Sequence, residues 1–338
     1  MHAANQERLT APGPLIVIPC LNEAAHIGGL LDQLSPAAAR LGGQIVVADG
    51  GSDDGTRRIV RDAAARNPAI KLLDNPDRIQ SAGINKAVAA YGQYARHLIR
   101  IDAHCSYPDD FCDTLLAEVK ATKADSIVVS MIAEGGPVIQ RINAVAQNSP
   151  VGNGGSKHRM RAAGEYVDHG HHALIDLDAF RAVGGYDPTF THNEDAELDY
   201  RLRRSGYEIW LTADTVVTYF PRSSLLALAR QYFNYGKGRA RNLLKHRVVP
   251  KLRQAKVMLV LPALLLTALA GLHWIFAVPA LLWLSYCLFA GGLVALRAHD
   301  ITLVLTIIAA ILMHVSWSFG FWREVLTPRR VAGARALP

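Results

Sequence analysis

Acidic side chains directly follow three short apolar segments in the first third of the chain, at Glu23, Asp49 and Asp102. Carboxylates accept hydrogen bonds from a nucleoside, and they can hold a divalent cation against a diphosphate. His104 lies two residues after Asp102, so an extended backbone would turn both side chains to one side. The pattern is compatible with a nucleotide site, although each piece alone is also ordinary turn and capping chemistry.

A second pair of carboxylates, Glu194 and Asp195, opens a helix that is predicted over residues 193–204. A carboxylate at this position could act as a general base that takes the proton of an acceptor hydroxyl. It could equally serve the helix terminus, because Thr191 and Glu194 fit a capping box and Asn193 is an alternative cap. The residue types alone do not choose between Glu194 and Asp195 as the base.

The histidines and cysteines do not follow a recognised metal or disulfide pattern. His169, His171 and His172 lie near His192, but their spacing matches no standard zinc motif and favours surface or acceptor-cleft positions. The 4 cysteines contain no CxxC pair, which indicates a reducing compartment without a disulfide framework.

Short apolar segments alternate with helix-like segments over the first 100 residues. The predicted strands are Leu15–Ile18, Gln44–Ala48, Ile70–Leu73 and His97–Ile101, and the predicted helices between them are Ala25–Leu34, Gly55–Ala65 and Ile79–Ala90. This alternation predicts an α/β fold with a mainly parallel, Rossmann-like sheet. In such sheets ligands bind beyond the carboxyl ends of the strands, where Glu23, Asp49 and Asp102 lie. The glycine-rich residues 137–172 are predicted to be irregular, and Glu208–Leu211 and Thr215–Tyr219 to be closing strands.

The last quarter of the chain has the composition of a membrane-embedded region. Val257–Leu296 contains no Asp, Glu, Lys or Arg, and neither does Ile301–Phe321. About 20 apolar residues cross a bilayer, so three embedded helices are expected, with a break near residues 271–273. Pro262 makes the first of them a candidate for partial insertion.

Positive charge is concentrated next to this region. Residues 230–256 carry nine Lys and Arg and no acidic residue. Such a cluster predicts a cytoplasmic, lipid-facing segment rather than a nucleic-acid site. The polar N-terminus has no signal-peptide core, so the residues before 256 are expected in the cytoplasm. The expected organisation is a catalytic domain over 1–222, basic juxtamembrane helices over 223–256, embedded helices over 257–322 and a basic tail over 323–338.

Taken in order, these motifs resemble the family 2 inverting glycosyltransferases of the GT-A fold. Ile18–Glu23 is similar to the opening IPxxNE element, and Asp49–Thr56 to the DxxSxDxT element. Asn75–Ala87 resembles the stretch near the sugar nucleotide. Asp102–His104 stands at the DxD position, and Asn193–Asp195 resembles the ED motif of the catalytic base.

The resemblance covers about 70% of the chain and implies a role for each matched residue. It implies that Asp49 contacts uracil, that Asp195 with neighbouring Glu194 supplies the base, and that Asp102 and His104 hold a divalent cation. Because His104 replaces the usual Asp, Mn²⁺ is expected to be favoured over Mg²⁺. The expected nucleotide-sugar site comprises Pro19, Glu23, Asp49, Ser52, Asp54, Asn85, Asp102, Arg230, Lys237 and Arg239, and the expected acceptor residues are Gln231, Tyr232, His171 and His172.

The resemblance also has a departure that bears on the reaction. Asn234 and Tyr235 stand where processive relatives have the Arg and Trp of QxxRW, which predicts addition of a single sugar. The expected function is inverting, metal-dependent transfer from a UDP-sugar, with glucose favoured, to a polyprenyl-diphosphate-linked saccharide in bacterial exopolysaccharide biosynthesis at the inner membrane. The alternative is a nucleotide-binding membrane scaffold or transporter component without transferase activity.

Overall fold

The computed structural model describes residues 12–156, 159 and 163–327 and divides into two compact units. The first unit comprises Met1–Glu134 and Ser156–Phe220, and the second comprises Gly135–Gly155 and Pro221–Pro338. Residues 135–155, which were grouped with the catalytic domain on sequence grounds, therefore belong to the second unit. The polar N-terminus and most of the basic tail lie outside the described residues.

The first unit is built on one mixed sheet in the order β3-β2-β1-β4-β8-β6-β9-β5, with β7 paired to β9. Its strands are β1 Leu15–Cys20, β2 Gln44–Asp49, β3 Ile70–Asp74, β4 His97–Arg100, β5 Cys105–Ser106, β6 Ser126–Ala133, β7 Glu165–Tyr166, β8 His171–Asp176 and β9 Ile209–Tyr219. The predicted α/β, GT-A-type class with a mainly parallel Rossmann-like sheet is confirmed: β3, β2, β1 and β4 are parallel neighbours.

Helices cover both faces of this sheet and bury two apolar clusters. The helices are α1 Ile27–Leu41, α2 Thr56–Arg66, α3 Gln80–Tyr91, α4 Phe111–Thr122, α7 Leu177–Ala182 and α8 Glu194–Arg204. Successive β1 residues alternate between the clusters: Ile16 and Ile18 belong to one, Leu15 and Val17 to the other. This burial on both faces explains why the parallel strands are continuous apolar runs in the sequence.

Three local predictions are corrected by the structure. The 137–172 segment is not wholly irregular, because it contains helices α5 Val138–Asn148 and α6 Pro150–Asn153 and the start of β8. The two predicted closing strands are one continuous strand, β9. Helix α8 has no side-chain cap, since Asn193 adopts a left-handed conformation with φ 62° in place of the extended backbone of a capping box.

The second unit is helical. Beyond α5 and α6 it contains α9 Leu225–His246, α10 Leu252–Met258, α11 Val260–Leu266, α12 Val278–Ala298 and α13 Thr306–Leu326. Three segments are long and apolar enough to cross a membrane, namely Leu252–Leu269, Trp274–Ala298 and Ile301–Leu326. They correspond to the three embedded helices expected from composition, and the break between the first two falls at residues 270–273, as predicted.

Candidate active site

The loop after β2 folds around the carboxylate of Asp49. Its Oδ2 atom accepts hydrogen bonds from the backbone N–H groups of Gly51 at 2.9 Å and Ser52 at 3.1 Å, and from Arg57 at 2.7 Å. The Ser52 hydroxyl donates to Oδ1 at 2.5 Å. Burial opposes ionisation, but these donors hold the pKa of Asp49 below its usual range. Asp49 thus shapes the loop as a buried anion, and its predicted contact with uracil stays a prediction.

The loop after β1 is tied to the same turn. The Asn22 backbone N–H donates to Ser52 Oγ at 2.8 Å, and the Glu23 N–H donates to Thr56 Oγ1 at 2.9 Å. Asp54 accepts from the backbone N–H groups of Ala24 and Thr56. These bonds join two loops about 30 residues apart in the sequence and fix the entrance of helix α2.

Glu23 faces the third loop at this edge of the sheet. Its Oε1 lies 3.2 Å from His104 Nδ1, and its Oε2 lies 2.9 Å from His26 Nδ1. Burial alone would raise the pKa of Glu23, but the two imidazoles outweigh burial and lower that pKa. The predicted cluster of Glu23, Asp49 and Asp102 loops at one edge therefore exists, because parallel strands end together.

Two further predicted residues have structural partners. Pro19 lies within β1, where its register partner is Ala48. Asn85 on α3 clamps the backbone of Tyr186: its Nδ2 donates to the Tyr186 carbonyl at 2.7 Å, and its Oδ1 accepts from the Tyr186 N–H at 2.9 Å. In this arrangement Asn85 positions the segment that leads to α8, and a nucleotide contact by Asn85 stays a prediction.

The centre of the site is a buried guanidinium that sequence reasoning did not single out. Arg100 at the end of β4 is only 6% exposed and forms an ion pair with Asp195. Its Nε lies 3.3 Å from Asp102 Oδ1, and its Nη2 lies 3.8 Å from Glu194 Oε1. One cation therefore faces three carboxylates from two elements. The available signal was an arginine inside an otherwise apolar, buried strand, where an unpaired charge would be costly.

Two histidines of β8 complete this group, which we call the Arg100 cluster (Arg100, Asp102, His171, His172, Glu194 and Asp195). His171 lies 3.6 Å from both Asp102 Oδ2 and Asp195 Oδ2. His172 Nδ1 lies 3.5 Å from Asp195 Oδ1. The predicted catalytic pair and the predicted histidines are thus brought together, although His171 and His172 are more than 20 residues from them in sequence.

Behind the cluster, His172 is held from the other side. Its Nε2 is 2.7 Å from Asp199 Oδ1, and its Nδ1 is 2.6 Å from the Tyr186 hydroxyl. Asp199 also accepts from the Gly170 N–H at 3.2 Å. Burial lowers basicity, but Asp199 and Asp195 prevail and raise the pKa of His172. Asp199 and Tyr186 were missed from sequence because they act through His172 rather than through a motif of their own.

The two adjacent carboxylates have opposite titration behaviour. Burial and the neighbouring charge of Asp195 raise the pKa of Glu194 to about 7. Burial also disfavours ionisation of Asp195, but Arg100 and His172 outweigh it and hold the pKa of Asp195 well below its usual range. Paired carboxylates whose environments separate their pKa values are a common arrangement in acid–base catalysis.

The role of Asp102 and His104 as cation ligands stays a prediction, and their chemistry can be compared with what a cation needs. Asp102 and His104 come from one loop and offer an oxygen and a nitrogen donor, and Gln80 Nε2 donates to Asp102 Oδ1 at 2.9 Å. Among the described residues, no three His, Cys, Asp or Glu side chains converge as a protein-only metal site. The donor set therefore fits a cation that takes its remaining ligands from a diphosphate.

The other predicted ligand residues lie on α9 in the second unit. Arg230 is exposed, Arg239 is half-buried, and Lys237 lies over the Phe233 ring at 6.0 Å from its centroid. Gln231 Nε2 donates to the Tyr235 hydroxyl at 2.9 Å, and the rings of Tyr232 and Tyr235 are in edge contact. Their roles toward a diphosphate or an acceptor stay predictions.

Comparison with known proteins agrees with the fold and the motifs. The model of Glycosyl transferase family 2 matches residues 15–184. The succinoglycan biosynthesis protein ExoA of Rhizobium meliloti (strain 1021) is 51% identical over 326 residues, which are 96% of this chain and 99% of that protein.

Two solved structures share the fold at low sequence identity. The mannosyltransferase PcManGT from Pyrobaculum calidifontis, in complex with GDP-Man and Mn²⁺, aligns with a TM-score of 0.55 and 16% identity over 93% of both chains. Mannosyl-3-phosphoglycerate synthase from Rubrobacter xylanophilus aligns with a TM-score of 0.51 and 15% identity over 74% of this chain and 80% of that one. With half the chain matched by the family model and nearly all of it by a relative at 51% identity, the protein belongs to glycosyl transferase family 2 and is a glycosyltransferase.

Proposed function

We propose that the enzyme transfers one sugar from a UDP-sugar to a lipid-linked saccharide with inversion at the anomeric carbon, and that Asp195 is the general base. The observation that carries this proposal is the ion pair of Asp195 with buried Arg100, next to Glu194, whose pKa is raised to about 7. It provides an ionised carboxylate that is partly exposed and lies against a buried guanidinium.

In the proposed single displacement, Asp195 accepts the proton of the acceptor hydroxyl while the oxygen attacks the anomeric carbon from the face opposite the nucleotide. Arg100 and His172 orient Asp195, since both lie against its Oδ1 atom. Oδ2, which faces His171, is the oxygen available to the acceptor proton. Bond formation to the acceptor oxygen and departure of UDP then occur in one step, so configuration inverts.

Glu194 is the competing base, and its pKa of about 7 would suit general-base catalysis near neutral pH. We favour Asp195 because it is ionised throughout the physiological range and because four side chains of the site converge on it. In its protonated form Glu194 is uncharged, so Arg100 then faces two negative carboxylates rather than three.

The proposed cofactor is a divalent cation, with Mn²⁺ favoured over Mg²⁺. Support comes from the oxygen and nitrogen donors of Asp102 and His104 and from the Mn²⁺ that accompanies GDP-Man in the PcManGT structure. The cation would be held by these two side chains and would neutralise charge on the departing diphosphate. Imidazole is a better ligand for Mn²⁺ than for Mg²⁺, which is the basis of the preference.

The proposed donor is UDP-glucose, and the proposed acceptor is a polyprenyl-diphosphate-linked saccharide of exopolysaccharide assembly. The supporting relative is named for succinoglycan biosynthesis and is 51% identical. The apolar helices of the second unit suit an acceptor with a lipid anchor. We accordingly propose the bacterial inner membrane, with the first unit in the cytoplasm, as the location.

Arg230, Lys237 and Arg239 are proposed partners of the donor diphosphate, and Gln231, Tyr232, His171 and His172 are proposed acceptor contacts. Tyr235, which stands where processive relatives have Trp, is engaged by Gln231. Replacement of that Trp by the smaller ring of Tyr235, and of the Arg by Asn234, supports release after a single addition rather than polymerisation.

The test is transfer from a panel of labelled UDP- and GDP-sugars to lipid extracts, using membranes that contain the full-length enzyme and, as a control, the Asp195→Asn variant. We expect labelled lipid with UDP-glucose, one sugar per acceptor, and none with the variant. Transfer from a GDP-sugar alone, or products with a ladder of added sugars, would refute the donor or the single-addition proposal.

A further inference from the structure

The third apolar helix, α13, is the centre of the second unit rather than a free span. It runs parallel to the basic helix α9: Leu228 packs near Met313 and Phe233 near Phe319. At the crossing, a Cβ atom on Gly236 would overlap the Trp317 carbonyl, and one on Gly320 would overlap the Phe233 carbonyl. The two backbones are therefore in direct contact, which small residues permit.

This contact conflicts with a bilayer crossing by α13. The basic side chains of α9 are Arg230, Lys237, Arg239, Arg241 and Lys245. A transmembrane α13 would carry its parallel partner α9 into the hydrocarbon, at a cost of about 2.5–3.5 kcal/mol for each charge near the centre. Hydrophobicity alone selects α13 as a span, but its neighbour makes the crossing unfavourable.

Both ends of α13 are also tied to charged segments. Before its first turn, Asp300 pairs with Arg141 of α5 at 2.6 Å. Near its last turn, Glu324 pairs with Arg241 of α9 at 3.0 Å. Both ion pairs lie within the second unit, so charged side chains stand at both ends of α13.

The segment between two contacts with the rest of the second unit is short, and apolar side chains beyond it on α12, at Leu288, Phe289 and Leu296, are exposed as well. At its beginning, Leu261 N–H donates to Ser318 Oγ at 3.0 Å, and the Met258 carbonyl accepts from Trp322 at 2.8 Å. At its end, Cys287 packs against Val151 and Ala310. These contacts attach both ends of a helical hairpin, residues 261–286, to the rest of the second unit.

We propose that residues 261–286 form a monotopic membrane anchor that enters one leaflet, and that none of the described helices crosses the bilayer. The two arms of this anchor are about 9 and 13 residues long, which at 1.5 Å per residue gives roughly 13–20 Å, close to half of the hydrocarbon core. The occupant of its surface is lipid acyl chain, because its large apolar side chains are exposed. These are Leu265, Leu269, Leu272, Trp274, Ile275, Leu281, Leu282 and Tyr286.

The anchor gives the enzyme a lipid contact without translocating any part of it. Leu272 and Trp274 at the turn are 79% and 69% exposed, and an apolar surface of this kind is unstable in water. The basic residues of α9 would remain at the headgroups, where they attract anionic lipid. This inference concerns topology alone and does not rest on the proposed donor, acceptor or base.

The first test inserts alkaline phosphatase, which is active only outside the cytoplasm, after Leu272 or after Pro338 of the full chain. Green fluorescent protein at the same positions is the matched control. We expect both phosphatase fusions to be inactive and both fluorescent fusions to be bright. Phosphatase activity at Leu272 would indicate a crossing hairpin, and activity at Pro338 would indicate three crossings; either result overturns the proposal.

A second test asks whether the hairpin holds the enzyme in the membrane. The variant Leu272→Asp/Trp274→Asp/Ile275→Asp is expected to be released by an alkaline carbonate wash that leaves the wild type bound. Tyr94→Asp is the control, because Tyr94 is 72% exposed but lies in the first unit. Retention of the triple variant at the wild-type level would overturn the anchor.

Discussion

The Asp49 loop and the Arg100 cluster lie in the same unit, but they stabilise negative charge in different ways. At Asp49, most donors come from within eight residues, and two of them are backbone N–H groups. In the Arg100 cluster, side chains from β4, β8 and α8 meet, and one buried guanidinium faces three carboxylates.

The comparison indicates that the Asp49 loop is rigid and that the Arg100 cluster is the region suited to acid–base chemistry. Backbone donors remain in place whatever the pH, so the Asp49 loop holds its shape. In the Arg100 cluster, burial and the charge of Asp195 raise the pKa of Glu194, whereas Arg100 and His172 lower the pKa of Asp195. Functional sites concentrate such perturbed groups.

The largest effect is expected for the base. Asp195→Asn should lower kcat by about 10²–10⁴-fold while UDP binding stays nearly unchanged, because an amide cannot take the acceptor proton. Steady-state transfer rates and nucleotide titration measure the two quantities. If Glu194→Gln is inactive and Asp195→Asn keeps near-normal turnover, the base is Glu194.

Replacement of Arg100, whose positive charge is shared by three carboxylates, should have the next largest effect. Arg100→Met leaves buried carboxylates without a partner and should lower the free energy of unfolding by about 3–5 kcal/mol. The matched control is Arg57→Met in the Asp49 loop, where backbone donors remain and a loss of about 1 kcal/mol is expected. Equal losses in chemical denaturation would remove the proposed distinction between the two halves.

The raised pKa of Glu194 predicts a pH dependence of stability. The folded carboxyl has a pKa of about 7, above its ordinary value of 4.5, so the folded state holds the proton more tightly. Stability from this group is complete below about 4.5 and declines as the pH rises toward 7. The difference in melting temperature between wild type and Glu194→Gln should therefore shift in favour of the variant between pH 5 and 8. A constant difference would contradict the raised pKa.

Metal preference tests the edge of the Arg100 cluster. His104→Asp should move the ratio of activities with Mn²⁺ and Mg²⁺ toward Mg²⁺, on the order of tenfold, because it replaces nitrogen by oxygen. His26→Asp is the control, since His26 contacts the same Glu23. Assays with each metal after chelation give the ratio, and full activity in chelator would refute the cation requirement.

The smallest effect is expected within the Asp49 loop. Ser52→Ala removes one of the donors to Asp49 and should cost about 0.5–1.5 kcal/mol of stability. Thermal unfolding measures this loss. A loss as large as that of Arg100→Met would mean that the loop depends on this side chain rather than on its backbone donors.

Local signals predicted the parts of the site that are built locally. Alternating apolar runs placed the parallel strands, and the acidic residues after them placed Glu23, Asp49 and Asp102 at one edge. Residues 137–172 were misjudged because glycine content does not reveal that α5 packs on distant helices. The capping box at Thr191 failed because Asn193 takes a left-handed conformation instead.

The sequence by itself determined the family, the strands of the parallel half and the presence of three apolar helices, because these depend on short-range periodicity and composition. Only the tertiary structure decided that Arg100 lies among Asp102, Glu194 and Asp195, and that α13 lies against the charged helix α9. Apart from the pair Arg100–Asp102, these are contacts between residues some 80 or more positions apart. Their energies depend on burial and on the neighbouring charge, and neither quantity is encoded in the residue's own sequence neighbourhood.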